Sequence, residues 1–460
     1  MRQLFLMRHA KAKRGDNKMA DHDRPLRKRG RRQAAAMAKA LQRWKALEGE
    51  IHVSGAVRTH QTLDEIAKQL PELSLTERAF FDEALYTFDA QALLAWLRGL
   101  PEATDRVLII GHNPALLELA HWLCPATPDV LPTGGLLHLS LPDTPWHSLE
   151  HQAAEYMKGL TPEQASHALF KRKALGKPSL HKAGLAKHIR SQLEHQYLMV
   201  RTLEPGVMAG IDPEFLHQYR VNLRRSRAIG ESVRAAIKVP GLKKRLKYLK
   251  RRAQATSDLR DLDVFLEGLN ETPPPLIPRS RQALENWLLA HREEEHAALR
   301  QQLVQSSYLE EMQDWRDFIG SQDFKEALAE LSSKRIATVL TERIDRHDQT
   351  LAALTPESDD ETLHDLRKAV KRIRYLAELE PRRHRDFLSG LKHRQSVLGD
   401  FQDLCSHQAW IEAFAASSRN APRRKQECNE WRSALEVQKK AMREEVMELT
   451  PLSDLYQATL

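Results

Sequence analysis

The sequence predicts a multidomain chain: an N-terminal α/β domain in three layers over residues 1–155, then, after a linker at 156–180, an all-α helical bundle in two related halves over 181–460. Three observations carry that expectation. In the first 150 residues short apolar runs alternate with helical patterns, as in a mostly parallel sheet with helices on both faces. From about Lys158 the strand candidates give way to long, highly charged segments of helical periodicity. Within this C-terminal region the same helical pattern occurs twice, with matching residue types at matching spacing.

At 460 residues the chain exceeds one ordinary domain. Its net charge of +9, with a pI near 9.3, points to an anionic partner. Residues 1–150 hold 20 Lys+Arg against 18 Asp+Glu, so most of the excess lies in the C-terminal region. Cys124, Cys405 and Cys428 offer neither a disulfide framework nor a zinc spacing, which suggests a reducing, cytoplasmic compartment. The N-terminal apolar run is too short for a signal peptide, and no 18 apolar residues follow one another, so no membrane is expected.

The first strand, Gln3-Leu-Phe-Leu-Met7, ends abruptly in Arg8 and His9. Ligands of open α/β sheets sit beyond the carboxyl ends of the strands, so both residues are expected at a ligand site. A histidine is largely neutral and nucleophilic near pH 7, its ordinary pKa being about 6.5, and an adjacent arginine suits a phosphate. A charged loop, Asp21-His-Asp-Arg-Pro-Leu26, leads through Gly30 into a helix over Arg31–Leu41, whose basic first turn is on the wrong side of the helix dipole unless it faces an anion. Ile51–Ser54 reads as a second strand, with Arg58 just past it and a helix running to Ala67. Arg106–Ile110 is the clearest strand and leads into Gly111-His112-Asn113-Pro114. There Asn113 is expected to cap a helix that starts at Pro114, leaving His112 near free backbone N–H groups. A last strand pair is expected at Leu136–Leu141.

In the C-terminal region Pro162, Pro178, Pro205, Pro240, Pro273 to Pro275 and Pro356 are expected to mark linkers. Asp212-Pro213 should start one helix, and Ser358 to Glu361 has the form of a capping box for another. The first carries His217, Arg220, Arg224, Arg225 and Arg227; the second, at identical offsets, carries His364, Arg367, Lys371, Arg372 and Arg374. Offsets of 0, 3, 7 and 10 fall within about 80° of one helix face. Cations on a buried face need counter-charges or water, so two such faces would enclose a wet cavity suited to a polyanion. Each half also holds an acidic signature, Arg260-Asp-Leu-Asp263 and Gly399-Asp-Phe-Gln-Asp403.

The N-terminal motifs Leu6-Met-Arg8-His9-Ala-Lys, Asp23-Arg-Pro-Leu26 with Gly30, Ser54-Gly-Ala-Val-Arg58-Thr-His-Gln-Thr62 and Gly111-His112-Asn113-Pro114 resemble the histidine phosphatase superfamily, and within it the SixA-type phosphohistidine phosphatases. Ser54-Gly55 departs from the Ser-Pro common in relatives. The resemblance implies His9 as nucleophile, with Arg8, Arg58 and a protonated His112 stabilising charge on the phosphoryl oxygens, Arg24 as a further substrate contact, and Glu83 as the one acidic candidate for proton donor. It implies a phosphohistidine protein as substrate, and neither metal nor cofactor.

The C-terminal region resembles the CHAD domain, an all-α module that binds inorganic polyphosphate, with halves here at about 181–275 and 280–460. Polyphosphate would be held by His217, Arg220, Arg224, Arg227, His364, Arg367, Lys371 and Arg374, and the protein would be cytoplasmic, at polyphosphate granules. No aromatics interleave the basic stripes, which argues against sequence-specific nucleic-acid binding. The expected function is a phosphatase tethered to or regulated by polyphosphate; the alternatives are a polyphosphate-binding scaffold, a polyphosphate-processing enzyme and a basic domain for nucleic acid.

Overall fold

The computed structural model describes residues 1–15, 19–176, 184–417 and 421–459. These divide into two compact units, Met1–Ala174 with Pro205–Phe215, and Leu175–Glu204 with Leu216–Leu460.

The first unit is built on a six-stranded sheet. In chain order its strands are β1 (Arg2–Arg8), β2 (Glu50–Ser54), β3 (Phe80–Asp82), β4 (Arg106–Gly111), β5 (Leu136–Leu141) and β6 (Glu155–Leu160), arranged β3-β2-β4-β1-β5-β6. The first four run parallel, whereas β5 pairs antiparallel with β1 and β6 with β5. Both faces are covered, which is why β1 and β4 are continuous apolar runs. Phe5, Met7, Leu108 and Ile110 join one core with helices Lys28–Arg43 and Val57–Ala67. Leu4, Leu6, Val107 and Ile109 join the other with helices Ala90–Arg98 and Ala115–Leu123.

Several expectations differ in detail. Leu136–Leu141 is a single strand, and its partner β6 lies in the expected linker. Residues Glu155–Leu160 are mostly half-exposed or exposed and lack the apolar alternation of an inner strand, so the pattern hid them. Two short helices follow at Pro162–Ala165 and His167–Phe170, so the α/β unit extends to Ala174 rather than ending at 155. Pro162 opens the first of them. The helix expected at Pro114 begins at Ala115, because the Asn113 side chain donates to the Leu131 carbonyl at 3.1 Å instead of capping; the Asn113–Pro114 peptide is cis. The basic start of the Lys28–Arg43 helix is answered by carboxylates of the same unit, Arg29 on Glu163 at 2.9 Å and Arg31 on Glu65 at 2.8 Å.

The second unit holds helices and, among its described residues, no strand. Helix Glu214–Ala236 carries the first basic stripe and starts where the Asp212 carboxylate accepts the Glu214 N–H at 3.0 Å. Helix Asp360–Ala377 carries the second, and its cap is Asp359, which accepts the Thr362 N–H at 2.8 Å, rather than Ser358. Pro205 lies inside helix Leu185–Ala209, not in a linker, and Pro178 falls outside the described residues. Leu262 and Phe265 of helix Ser257–Glu271 pack with Ile411 and Phe414 of helix Arg385–Ser417, so segments from both sequence halves form one core.

Candidate active site and basic face

Register brings the first site together. β1 and β4 pair Arg8 with Gly111, and β2 and β4 pair Val53 with Ile110, so His9, His112 and the Gly55–Arg58 turn leave the sheet at one level. The His9 and His112 rings stand 5.2 Å apart between centroids. His9 Nδ1–H donates to its neighbour's carbonyl, Ala10 O, at 2.8 Å, which leaves Nε2 with its lone pair free. His112 is held from both sides: Arg58 donates to Nδ1 at 3.3 Å, and Nε2–H donates to the buried Ser54 hydroxyl at 2.8 Å. Arg58 is only 2% exposed. Arg8 donates to the Leu131 carbonyl at 3.0 Å, and the Nε–H groups of both Arg8 and Arg58 are buried without a partner among the described residues. Buried donors left unpaired on two cations suit an oxyanion.

Burial sets the protonation states here. His9 is held down to about 3, by desolvation first and then by the nearby charges of Arg58, Arg8 and Arg24, against the Ala10 carbonyl. His112 is also brought to about 3, by desolvation and by His9 and Arg58. Without a ligand both rings are therefore neutral at pH 7. The protonation expected of His112 concerns a pocket that holds phosphate, whose charge acts in the opposite direction.

The sequence reading missed Asp21. Its carboxylate accepts from Arg58 at 2.9 Å, from the Tyr86 hydroxyl at 2.9 Å and from Arg24, whose Nε–H donates to the Lys13 carbonyl at 2.8 Å. Partial burial raises the Asp21 pKa, but the hydrogen bonds from Arg24 and Tyr86 and the Arg58 charge outweigh it and leave it near 2. A carboxylate thus sits on two of the predicted phosphate ligands. Only the density of charge in the loop Asp21–Arg24 signalled it.

Glu83 stands at the rim, its side chain 74% exposed and its carboxylate 3.3 Å from His22 Nε2. It lies over Gly55, where a Cβ would come within 1.9 Å of its Oε1. The glycine at this place and the position of Glu83 are one feature. Among the described residues no group of acidic, histidine or cysteine side chains could hold a metal ion.

In the second unit Arg220, Arg224, Arg367 and Lys371 face one another electrically. Lys371 is brought down to about 7, by burial first and then by Arg367 and Arg224; Arg220 falls to about 10, again by burial, with Arg224 and Arg260 opposing Asp261. Asp261 and Asp403, one from each acidic signature, are raised by burial while facing Arg220 and Arg367 respectively. The Nε–H groups of Arg224 and Arg367 are buried and have no partner among the described residues. Arg220 already donates to the Ala253 carbonyl at 3.1 Å and to the Thr256 hydroxyl at 2.6 Å, and other predicted residues are committed too: Arg227 pairs with Glu231, Arg374 with Glu378 at 2.7 Å and with Gln395, and His364 with Gln402. His217 lies on the helix that carries Arg220 and Arg224. Asp263 turns elsewhere, to Arg292 at 2.6 Å.

Residues 4–122 match the family model of the histidine phosphatase superfamily (branch 1), and residues 191–412 that of the CHAD domain. Over 144 residues the chain is 31% identical to phosphohistidine phosphatase SixA of Escherichia coli, covering 31% of this chain and 87% of that one. Over 122 residues it is 30% identical to an 8-oxo-(d)GTP phosphatase of Mycolicibacterium smegmatis, covering 26% of this chain and only 37% of that protein's length. The crystal structure of the CHAD domain from the plant Ricinus communis is similar with a TM-score of 0.47 at 20% identity, over 60% of this chain and 95% of that one.

Proposed function

Because the chain belongs to the histidine phosphatase superfamily through its α/β unit and carries a CHAD domain beyond it, we propose that it dephosphorylates phosphohistidine proteins and holds inorganic polyphosphate on its helical unit. The observation that carries the first half is the His9 ring, neutral, with Nδ1–H tied to Ala10 and Nε2 free beside unpartnered arginine donors.

His9 Nε2 attacks phosphorus, the substrate's P–N bond breaks, and the leaving imidazole keeps the electron pair and a proton. Water then attacks the phosphorylated His9, releasing phosphate and restoring the ring. Arg8, Arg58 and Arg24 take up the negative charge, and His112 gains a proton as the dianion arrives. An imidazole leaves readily once protonated, so Glu83 is needed most for leaving groups of higher basicity.

The second half rests on Arg220, Arg224, Arg367 and Lys371, whose mutual repulsion, with the buried Nε–H groups of Arg224 and Arg367 unpartnered among the described residues, calls for an anion with several charges. Binding of this kind would place the phosphatase at polyphosphate granules.

The test is release of phosphate from a phosphorylated histidine protein, with and without long-chain polyphosphate, by wild type and His9→Ala, with polyphosphate also offered alone. The proposal expects His9-dependent release from the phosphoprotein and none from polyphosphate alone. Phosphate from polyphosphate only would make the two units one polyphosphate-processing enzyme, and polyphosphate binding without any turnover would leave a scaffold.

A further inference from the structure

The helical unit contains a cavity of about 530 Å³ that the basic face does not use. It is bounded by helices Leu185–Ala209 and Glu214–Ala236, by Tyr375 of helix Asp360–Ala377 and by the residues that follow it. On helix Glu214–Ala236 its lining positions Gln218, Val221, Asn222, Arg225 and Ile229 lie roughly 135° around the axis from the stripe of His217, Arg220, Arg224 and Arg227. The two faces of this helix therefore serve different environments.

Alongside the imidazoles of His188 and His195, three kinds of group in the cavity wall could recognise a ligand. Two buried amides, Gln196 and Asn222, each 7% exposed, have their orientation fixed by one hydrogen bond apiece. The Ser226 hydroxyl donates to Gln196 Oε1 at 3.2 Å, so the NH₂ of Gln196 is its remaining edge; Asn222 Nδ2 donates to the Gln218 carbonyl at 2.8 Å, so the carbonyl of Asn222 is its own. Neither remaining edge has a protein partner among the described residues. Met199, Val221, Ile229, Leu388 and Tyr375 supply apolar and aromatic wall. Arg225 is exposed and has no carboxylate partner among the described residues, whereas Glu378, also in the wall, is held by Arg374 at 2.7 Å.

A donor and an acceptor carried by two buried side chains of one small cavity match a ring that carries a carbonyl beside an N–H, the edge of a nucleobase. The apolar side chains and the Tyr375 ring suit the body of such a ring, and the exposed arginine suits a phosphate. We propose that this cavity binds a nucleoside monophosphate, with Gln196 and Asn222 on the base and Arg225 on the phosphate. The inference is independent of the phosphatase reading.

Calorimetric titration of the full chain with GMP, UMP, AMP and CMP, alongside their nucleosides and inorganic phosphate, tests it. At least one monophosphate should bind saturably below millimolar concentration. Arg225→Ala should weaken it about tenfold or more while leaving the nucleoside unchanged; Asn222→Leu should weaken both, with the thermal midpoint of each variant checked against wild type. Arg224→Glu and Arg58→Ala should bind the monophosphate as wild type does. No saturable binding by any of the four overturns the proposal. So does binding that Arg225→Ala leaves intact, or that is lost in Arg224→Glu, which would place it on the basic face, or in Arg58→Ala, which would place it in the phosphatase pocket.

Discussion

His9 and His112 share a pocket that keeps both neutral, and the pH behaviour of the protein follows from that. Their folded values lie near 3 against an ordinary 6.5, so between these limits the unfolded chain binds more protons than the folded one. Stability contributed by this pair is complete above about pH 6.5 and is lost as the pH falls toward about 3. Denaturant midpoints measured across that range should rise with pH, and less steeply in His112→Gln. The same depression keeps His9 nucleophilic in mild acid, so kcat/KM should show no acid limb near pH 6.5; a limb there that tracks His9 would sink the assignment. Arg58→Ala should cost about 10² to 10³ in kcat, the usual loss when one preorganised donor to a developing charge is removed. Asp21→Asn should act in the other direction on binding. It removes the carboxylate that now engages Arg58 and Arg24, so inhibition by inorganic phosphate should tighten, and unchanged inhibition would mean that Asp21 lies outside the phosphate's place.

Elements explain why some of this was legible. Arg8, His9, Arg58 and His112 end or follow strands whose two-sided burial writes itself as apolar runs, so the chemistry could be read at the edges of a clear pattern. Asp21 lies in a loop without periodicity, and its role depends on a contact with a residue 37 positions away. β6 escaped because an edge strand facing solvent carries Glu155 and Lys158 where an inner strand would carry apolar residues. Pro205 misled because a proline inside a helix is costly but tolerated. Gly30 belongs to a legible motif, but its reason is tertiary: a Cβ there would meet the Lys11 carbonyl at 2.2 Å, where the loop after His9 passes over the start of helix Lys28–Arg43. The neighbour is backbone and cannot give way cheaply. Gly30→Ala should therefore cost about 1–3 kcal/mol in a denaturant midpoint and lower turnover by displacing that loop.

On the scale of the whole molecule, the two units predict separable behaviour. Arg224→Glu and Lys371→Glu should each weaken polyphosphate binding and lower its salt dependence by roughly one to two charges, with phosphatase activity on a small substrate unchanged. Burial and the neighbouring Arg367 and Arg224 bring the Lys371 pKa down to about 7, and a polyanion must raise it. Binding should therefore take up a proton and weaken as the pH rises from about 7 to 9, which calorimetry in buffers of different ionisation enthalpy would detect. Separable behaviour does not mean a separable chain. The α/β unit takes in Pro205–Phe215 from far downstream, with Ile211 in its core and the Asp212 carboxylate accepting the His167 N–H at 2.8 Å. A gene cut once after residue 176 would leave that patch bare on one product and strand its cover on the other. A single cut there therefore does not divide the two units cleanly; a clean division needs a second joint around Pro205–Phe215.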